Sequence, residues 1–173
     1  MKGVVIIAVK ELVVQKFGEH KWKAALELAG LRKEPLIMSV SDVNDEVVLK
    51  VIDALCRTLN ISFVELADAF GDFWVNTFAT KTLPHYFRGV KTAKDFLMSM
   101  DDVHLSATNS IPNNRPPRFC YEWKNEKTLI MKYKSSRGLI DLMPGLIRGV
   151  GKYFNERLAV TKVGNDQIQI VFS

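Results

Sequence analysis

The chain has 173 residues, of which 47% are hydrophobic and 25% are charged, and its formal net charge is +5. This length suits one globular domain, and the composition excludes a disordered or low-complexity protein. No apolar run reaches the roughly 20 residues of a membrane span, and the basic residues are scattered among acidic ones. The composition therefore predicts a globular protein without a membrane role, and the charge pattern is typical of a solvated surface rather than a nucleic-acid site.

The first part of the chain has the apolar spacing of amphipathic helices. The spacing predicts helices over residues 3–17, 19–29 and 45–59. Gly18 and Gly30 are expected to end the first two helices, and residues 31–43 are expected to form a loop. Ser62 and Glu65 have the spacing of a capping box, which predicts the start of a further helix.

The helix that begins at the capping box is predicted to continue through Phe78 and contains Gly71. A glycine inside a helix indicates either the close approach of a bulky neighbour or a point of flexure.

The next predicted helix, over residues 92–110, carries His104. Leu97, Met100 and His104 recur at positions i, i+3 and i+7, so the histidine lies on the apolar side of this helix. A histidine there is most often part of a core, but a neutral imidazole is also a ligand for a metal or for haem iron.

After Pro116 and Pro117 the apolar period changes from helical to two. Two hairpins are predicted, at residues 118–134 and 158–172, with a helix over residues 139–157 between them. The predicted fold is α+β: a single domain over residues 1–173, in which a helical half, about 1–115, packs on a half, about 116–173, with a roughly four-stranded antiparallel sheet.

Tyr133, Ser135 and Arg137 follow one another at positions i, i+2 and i+4. In an extended segment the three side chains lie on one face and offer two hydroxyls and a guanidinium, which suit a ligand with carboxylates. The polar outer face of an ordinary strand gives the same pattern.

Taken together, these motifs resemble the haem-nitric oxide/oxygen binding (H-NOX) family, which includes the sensor domain of soluble guanylate cyclase. The resemblance spans essentially the whole chain. The residues that carry it are Met1-Lys2-Gly3, Phe17-Gly18-Glu19 with Trp22, Phe70-Gly71 with Trp74, Met100-Asp101-Asp102-Val103-His104, Pro116-Pro117, and the Tyr-x-Ser-x-Arg motif of Tyr133, Ser135 and Arg137.

The resemblance implies haem b, held between the two halves. His104 would be the axial ligand of the iron, and Tyr133, Ser135 and Arg137 would hold the haem propionates. Pro117 matches the proline that presses on the haem in this family. No Cys-x-x-Cys-His attachment motif occurs, so the haem is expected to be bound non-covalently.

The resemblance also implies which gas binds. Family members that bind oxygen have a tyrosine five positions after the motif arginine, and here that position is Leu142. The other matching positions of the distal pocket are nearly all apolar: Val5, Val9, Trp74, Phe78 and Leu146. The expected ligands are therefore nitric oxide and carbon monoxide, with oxygen excluded.

The expected signal is a conformational change when nitric oxide weakens the bond between iron and His104. Stand-alone family members act on a sensor histidine kinase or a cyclic-dinucleotide enzyme, and such a partner is expected here. No arrangement of serine, histidine and acid suggests an enzyme. Cys56 and Cys120 are expected to be free thiols of a cytoplasmic protein.

Two alternatives remain open from the residues alone. The alternating Phe119, Tyr121 and Trp123, with Arg118 and Lys124, could bind single-stranded nucleic acid by stacking and charge neutralisation. The carboxylate-binding motif could equally serve an apolar carboxylate other than haem.

Overall fold

The computed structural model describes residues 3–31, 43–108 and 116–173. These residues form seven α-helices and one four-stranded antiparallel sheet, and this confirms the predicted α+β fold. The chain divides into two compact units, Met1–Phe70 and Gly71–Ser173. In the described part of the chain, no helix is long and apolar enough to cross a membrane.

The first unit consists of helices whose apolar faces pack on one another. They are α1 (Gly3–Phe17), α2 (Glu19–Leu28), α3 (Asp45–Leu59) and the greater part of α4 (Phe63–Phe73). Gly18 and Gly30 have positive φ angles of 88° and 79°, which glycine adopts without a steric penalty, and this is why the first two helices end where the sequence predicts. Most of the predicted loop, residues 32–42, lies outside the described residues.

Side chains cap the starts of two helices of this unit, α3 and α4. The Asn44 side chain accepts a hydrogen bond of 2.8 Å from the Glu46 amide at the start of α3. Ser62 and Glu65 form the predicted capping box, in which the Glu65 amide donates to Ser62 Oγ at 3.2 Å and the Ser62 amide donates to the Glu65 carboxylate at 2.8 Å.

The second unit begins within α4, which continues as a π-helix over Trp74–Ala79 and ends in a short α-helical turn. Two helices follow, α5 (Ala93–Met98) and α6 (Met100–Ser106). The prediction of one continuous helix here is wrong, because the chain turns at Ser99, whose hydroxyl donates to the Phe96 carbonyl at 2.8 Å. The end of the predicted helix, residues 109 and 110, lies outside the described residues.

Two hairpins form the sheet. Their strands are β1 (Arg118–Asn125), β2 (Thr128–Lys134), β3 (Leu158–Lys162) and β4 (Gln167–Phe172), in the order β1-β2-β4-β3. Phe119 pairs with Tyr133, and Met131 lies between Tyr121 on one side and Ile168 on the other. This register places the alternating residues of the two hairpins, among them Phe119, Met131 and Ile168, on one face, as the alternation predicts, whereas Ile130 and Val171 lie on the opposite face.

A 3-10 helix at Leu139–Leu142 and helix α7 (Met143–Tyr153) connect the two hairpins. Pro144 lies in the first turn of α7, where an amide would have no partner within the helix, so the proline starts this helix rather than kinking it. Helices α5 and α7 pack against the apolar face of the sheet. The fully buried side chains at the centre include Leu129, Met131, Ile147, Ile168 and Ile170.

Candidate functional site

His104 lies in α6 with its ring partly buried. Its Nδ1 atom is 2.8 Å from the Met100 carbonyl oxygen, one turn earlier in the helix. A carbonyl can only accept, so Nδ1 carries the proton and Nε2 keeps its lone pair. Burial lowers the pKa of His104, which favours the neutral ring. The local structure thus presents an imidazole in the form that ligates a metal.

A row of aromatic rings joins His104 to the Tyr-x-Ser-x-Arg motif. The His104 ring centroid is 5.1 Å from that of Phe119, which is 5.7 Å from that of Tyr133. Phe119 and Tyr133 are paired across β1 and β2, and both are buried. Pro117 lies two residues before Phe119. His104 and Tyr133 are about 30 residues apart in the sequence. Tertiary structure, and not a local pattern, brings their segments together.

The Tyr-x-Ser-x-Arg motif is only half extended. Strand β2 ends at Lys134, so Tyr133 lies on the strand while Ser135 and Arg137 lie beyond its end. The Arg137 amide donates to Ser135 Oγ at 3.2 Å, which closes a small turn. The condition under which all three side chains would share one face, an extended segment, is therefore met only at Tyr133. Ser135 and Arg137 are nevertheless partly accessible at the end of the same strand.

The π-helix places Trp74 and Phe78 one turn apart, with their rings stacked at a centroid distance of 5.4 Å. α7 packs against this segment at very close range. A Cβ atom at Gly71 would lie 2.1 Å from the Gly145 carbonyl oxygen, and this explains the glycine in the interior of α4. Leu146 follows directly in α7, and Leu142 ends the 3-10 helix before it.

The other two predicted distal residues, Val5 and Val9, lie in α1 of the first unit. Val9 is buried, and Val5 is partly buried. Their burial fits the apolar character of α1, so it does not by itself indicate a gas pocket.

A cluster around Asp101 adds to the predicted residues. The Asp101 carboxylate accepts hydrogen bonds from the Arg118 side chain at 2.9 and 2.7 Å and from the Phe119 amide at 2.8 Å. These bonds, above all those from Arg118, lower the pKa of Asp101 to about 2. The sequence offered only one signal for this pair, an acid three residues before His104 and a base directly after Pro117.

A partly buried imidazole next to Phe119, a residue that follows Pro117 by two positions and pairs with Tyr133 across the sheet, is consistent with the H-NOX resemblance on an α+β scaffold. A family model described as haem-NO-binding matches residues 2–162. The chain belongs to this family. H-NOX domains bind haem and act as gas sensors, so the coarse prediction of a haem-binding sensor domain is confirmed.

Individual relatives agree with this assignment. The soluble guanylate cyclase gcy-34 of Caenorhabditis elegans is 25% identical over 174 residues, which cover 96% of this chain and 25% of that protein. The chain thus spans about a quarter of the length of this curated relative.

Solved H-NOX structures share the fold along the whole chain. A Cs H-NOX mutant with 4-cyano-L-phenylalanine at site 5 has a TM-score of 0.88 and 26% identity, covering 100% of this chain and 97% of its own. An oxygen-binding H-NOX domain related to soluble guanylate cyclases, solved as its oxygen complex, has a TM-score of 0.84 and 25% identity, covering 100% and 95%.

The side chains of the second unit fit haem chemically. A neutral imidazole at His104 suits an iron ligand, and the stacked Trp74 and Phe78 offer apolar surface. Tyr133, Ser135 and Arg137 supply the hydroxyls and the cation that two carboxylates need when they leave water.

The nucleic-acid alternative fits the structure less well. Phe119 is buried, and the hydroxyl of Tyr121 donates to the Leu97 carbonyl at 2.9 Å. Arg118 is paired with Asp101, and Lys124 is paired with Glu122. The aromatic side chains of β1 therefore face the core of the second unit, and the neighbouring Arg118 and Lys124 already have acidic partners.

Proposed function

We propose that this H-NOX domain senses nitric oxide with haem b, held non-covalently, and that it excludes oxygen. Haem, when bound, would supply an iron that takes nitric oxide or carbon monoxide. His104 would ligate the iron, and Tyr133, Ser135 and Arg137 would hold the propionates. Pro117 would press on the haem from the start of β1.

The residue that carries the choice of gas is Leu142. Oxygen bound to ferrous haem is stabilised by a hydrogen-bond donor, whereas nitric oxide needs none. Leu142 has no polar atom in its side chain, and the other proposed distal residues Phe78 and Leu146 have none either. Trp74 offers an indole N–H, but its ring stacks on Phe78. The distal side thus favours nitric oxide over oxygen.

The proposed signal is a conformational change that would follow when nitric oxide weakens, and can break, the bond between His104 and the iron. A gas can change the activity of a partner only if the partner binds the two states with different affinity. We propose that this partner is a sensor histidine kinase or a cyclic-dinucleotide enzyme in the cytoplasm, and that the chain works as a single sensor domain without catalysis of its own.

Absorption spectra of the purified, reduced protein under nitrogen, nitric oxide and oxygen test this function. We expect a haem Soret band that shifts with nitric oxide and with carbon monoxide but not with oxygen. His104→Ala should lose the band or its gas response, and added imidazole should restore it by replacing the missing side chain. A protein without a haem band, even after expression with added haem, would refute the proposal.

A second variant tests the choice of gas by itself. Leu142→Tyr introduces the hydroxyl that oxygen-binding relatives have at this position, so this variant should form a stable complex with oxygen in air. Leu142→Phe is the matched control, because it adds a ring of similar size without a donor. Stable oxygen binding by the unsubstituted protein would contradict the exclusion of oxygen while leaving haem binding intact.

A further inference from the structure

Two consecutive residues of β1 donate hydrogen bonds to one carboxylate of α6. The Arg118 guanidinium donates through Nε and Nη2 to the two oxygens of Asp101, at 2.9 and 2.7 Å. The Phe119 amide donates to Asp101 Oδ1 at 2.8 Å. The guanidinium and the carboxylate therefore form a two-bond fork, the geometry in which arginine binds carboxylates most strongly.

This fork joins the two segments that carry proximal residues. Asp101 lies three positions before His104 in α6, and Arg118 directly follows Pro117. The Phe119 ring, next to the fork, lies beside the His104 ring with a centroid distance of 5.1 Å. The fork thus holds the helix of the proposed iron ligand to the start of the strand that follows Pro117.

A second contact strengthens the same connection. The Tyr121 hydroxyl donates to the Leu97 carbonyl at 2.9 Å and accepts from the Asp101 amide at 3.3 Å. Leu97 belongs to α5 and Asp101 to α6, so one side chain of β1 binds the chain on both sides of the turn at Ser99. α6 is short and follows a break, and its position therefore depends on these contacts with β1.

Exposure indicates which member of the pair is replaceable. The Asp101 side chain is only 19% exposed, whereas that of Arg118 is 52% exposed. Asp101 also satisfies the Phe119 amide, so its removal would disturb the strand itself. Removal of the Arg118 side chain leaves that backbone bond in place. Arg118 can therefore be changed without loss of the fold.

We propose that Arg118 is a positioning residue that restrains α6 and so promotes the release of His104 from iron when nitric oxide binds. The inference rests on the proposed function of His104 as the iron ligand. With the fork intact, α6 would be held close to β1, and the His104 imidazole would have less freedom to stay with the iron. Without the fork, α6 moves more freely, and His104 stays bonded in a larger share of the nitric oxide complex.

The test compares Arg118→Ala and Arg118→Lys with Lys124→Ala, all in the haem-loaded protein of 173 residues. Lys124 lies on the same strand and is paired with Glu122, so its substitution removes one positive charge and one ion pair away from α6. Two quantities are measured: amide hydrogen exchange of residues 100–106, and the share of the nitric oxide complex that retains His104, from the nitrogen hyperfine splitting in electron paramagnetic resonance.

We expect Arg118→Ala to speed exchange in residues 100–106 by roughly threefold or more, a modest change because half-exposed ion pairs contribute little. The share that retains His104 should rise in parallel. Arg118→Lys should give values between those of Arg118→Ala and the unsubstituted protein, because lysine keeps the charge but cannot form the two-bond fork. Lys124→Ala should match the unsubstituted protein in both quantities.

Faster exchange with an unchanged share of retained His104 would overturn the inference, since the fork would then be structural only. Unchanged values of both quantities would overturn it as well. A colourless unsubstituted protein would refute the proposed function, and the positioning role with it. If the unsubstituted protein binds haem and nitric oxide, the Arg118 variants test only the positioning role of the fork.

Discussion

At the scale of single residues, hydrogen bonds and burial set the chemical state of the proximal side. The Met100 carbonyl fixes the tautomer of the neutral His104 ring, and burial lowers the pKa of the ring, which favours the neutral form although the Asp101 carboxylate acts in the opposite direction. Asp101 is the opposite case, because three donors stabilise its charged form. The two residues are about one helical turn apart and so lie on the same side of α6, where different neighbours favour the neutral form of one and the charged form of the other.

The lowered pKa of Asp101 makes a prediction about acid stability. The pKa of Asp101 is about 2 in the folded protein, compared with an ordinary value of 3.8. Because the folded pKa is the lower one, Asp101 contributes its full stabilisation above about pH 5, and this contribution disappears as the pH falls from about 4 to about 2. The free-energy difference between the unsubstituted protein and Asp101→Asn should therefore shrink over that range.

Urea unfolding at a series of pH values measures this difference, and comparison of the two proteins cancels the effect of other carboxylates such as Glu122. Asp102→Asn is the control, because Asp102 is an exposed neighbour on the same helix. A gap between the unsubstituted protein and Asp101→Asn that stays constant down to pH 2 would show that the Arg118 and Phe119 contacts do not stabilise the charged form.

At the scale of elements, the end of α4 and α7 cross with their backbones in close contact. Gly71 and Gly149 approach so closely that a Cβ at Gly149 would lie 2.4 Å from the Gly71 carbonyl oxygen. The Asn76 side chain donates to the Gly149 carbonyl at 3.1 Å, and Lys152 pairs with Asp72 at 2.7 Å. Polar bonds on both sides of the glycines thus hold the π-helix, which carries Trp74 and Phe78, against α7.

Gly149→Ala should force this crossing apart. The added methyl would meet backbone atoms rather than a flexible side chain, so we expect a loss of about 1 to 3 kcal/mol in the free energy of unfolding. Gly164→Ala is a matched control, because the nearest heavy atom to its Cβ would be 3.8 Å away. That substitution should change stability by no more than about 0.5 kcal/mol.

Chemical denaturation of both variants checks this prediction. Equal stability of Gly149→Ala and Gly164→Ala would mean that α7 can move away from α4 at little cost. The absorption spectrum of a folded Gly149→Ala protein would add information on the site, since displacement of the π-helix moves Trp74.

At the scale of the whole molecule, the two compact units differ in their residues for haem. The first unit holds only Val5 and Val9 of the proposed site, in α1. The second unit holds the proposed iron ligand, the propionate-binding residues and the rest of the distal positions. The boundary between the two units lies between Phe70 and Gly71. The sequence changes from helices to strands only near residue 115. The unit boundary comes earlier because α5 and α6 belong to the same unit as the sheet.

Haem should therefore stabilise the protein mainly through the second unit. Haem at 100 times its dissociation constant adds about 2.7 kcal/mol to the stability of a protein that binds it only when folded. We expect a higher thermal midpoint for the haem-loaded protein than for the haem-free one, with slower amide exchange in β1, β2 and α6. His104→Ala should gain less from the same concentration of haem. Equal gains for both proteins would argue against a bond between His104 and iron.

The sequence by itself determined the elements of this protein and its family. Helical spacing, glycine stops and the Ser62–Glu65 capping box are local signals, and each of them acts over a few residues of the chain. The alternation in the two hairpins predicted the four-stranded antiparallel sheet for the same reason. The spacing of His104, the proline pair and the Tyr-x-Ser-x-Arg motif was enough to indicate an H-NOX domain.

Only the tertiary structure decided the features that depend on partners far away in the chain. The turn at Ser99 and the end of β2 before Ser135 interrupt segments whose local pattern predicts continuity. The fork between Asp101 and Arg118 joins residues 17 positions apart, and no spacing rule connects them. Local patterns follow from the geometry of one helix or strand, whereas these contacts require that α6 and β1 first be packed side by side.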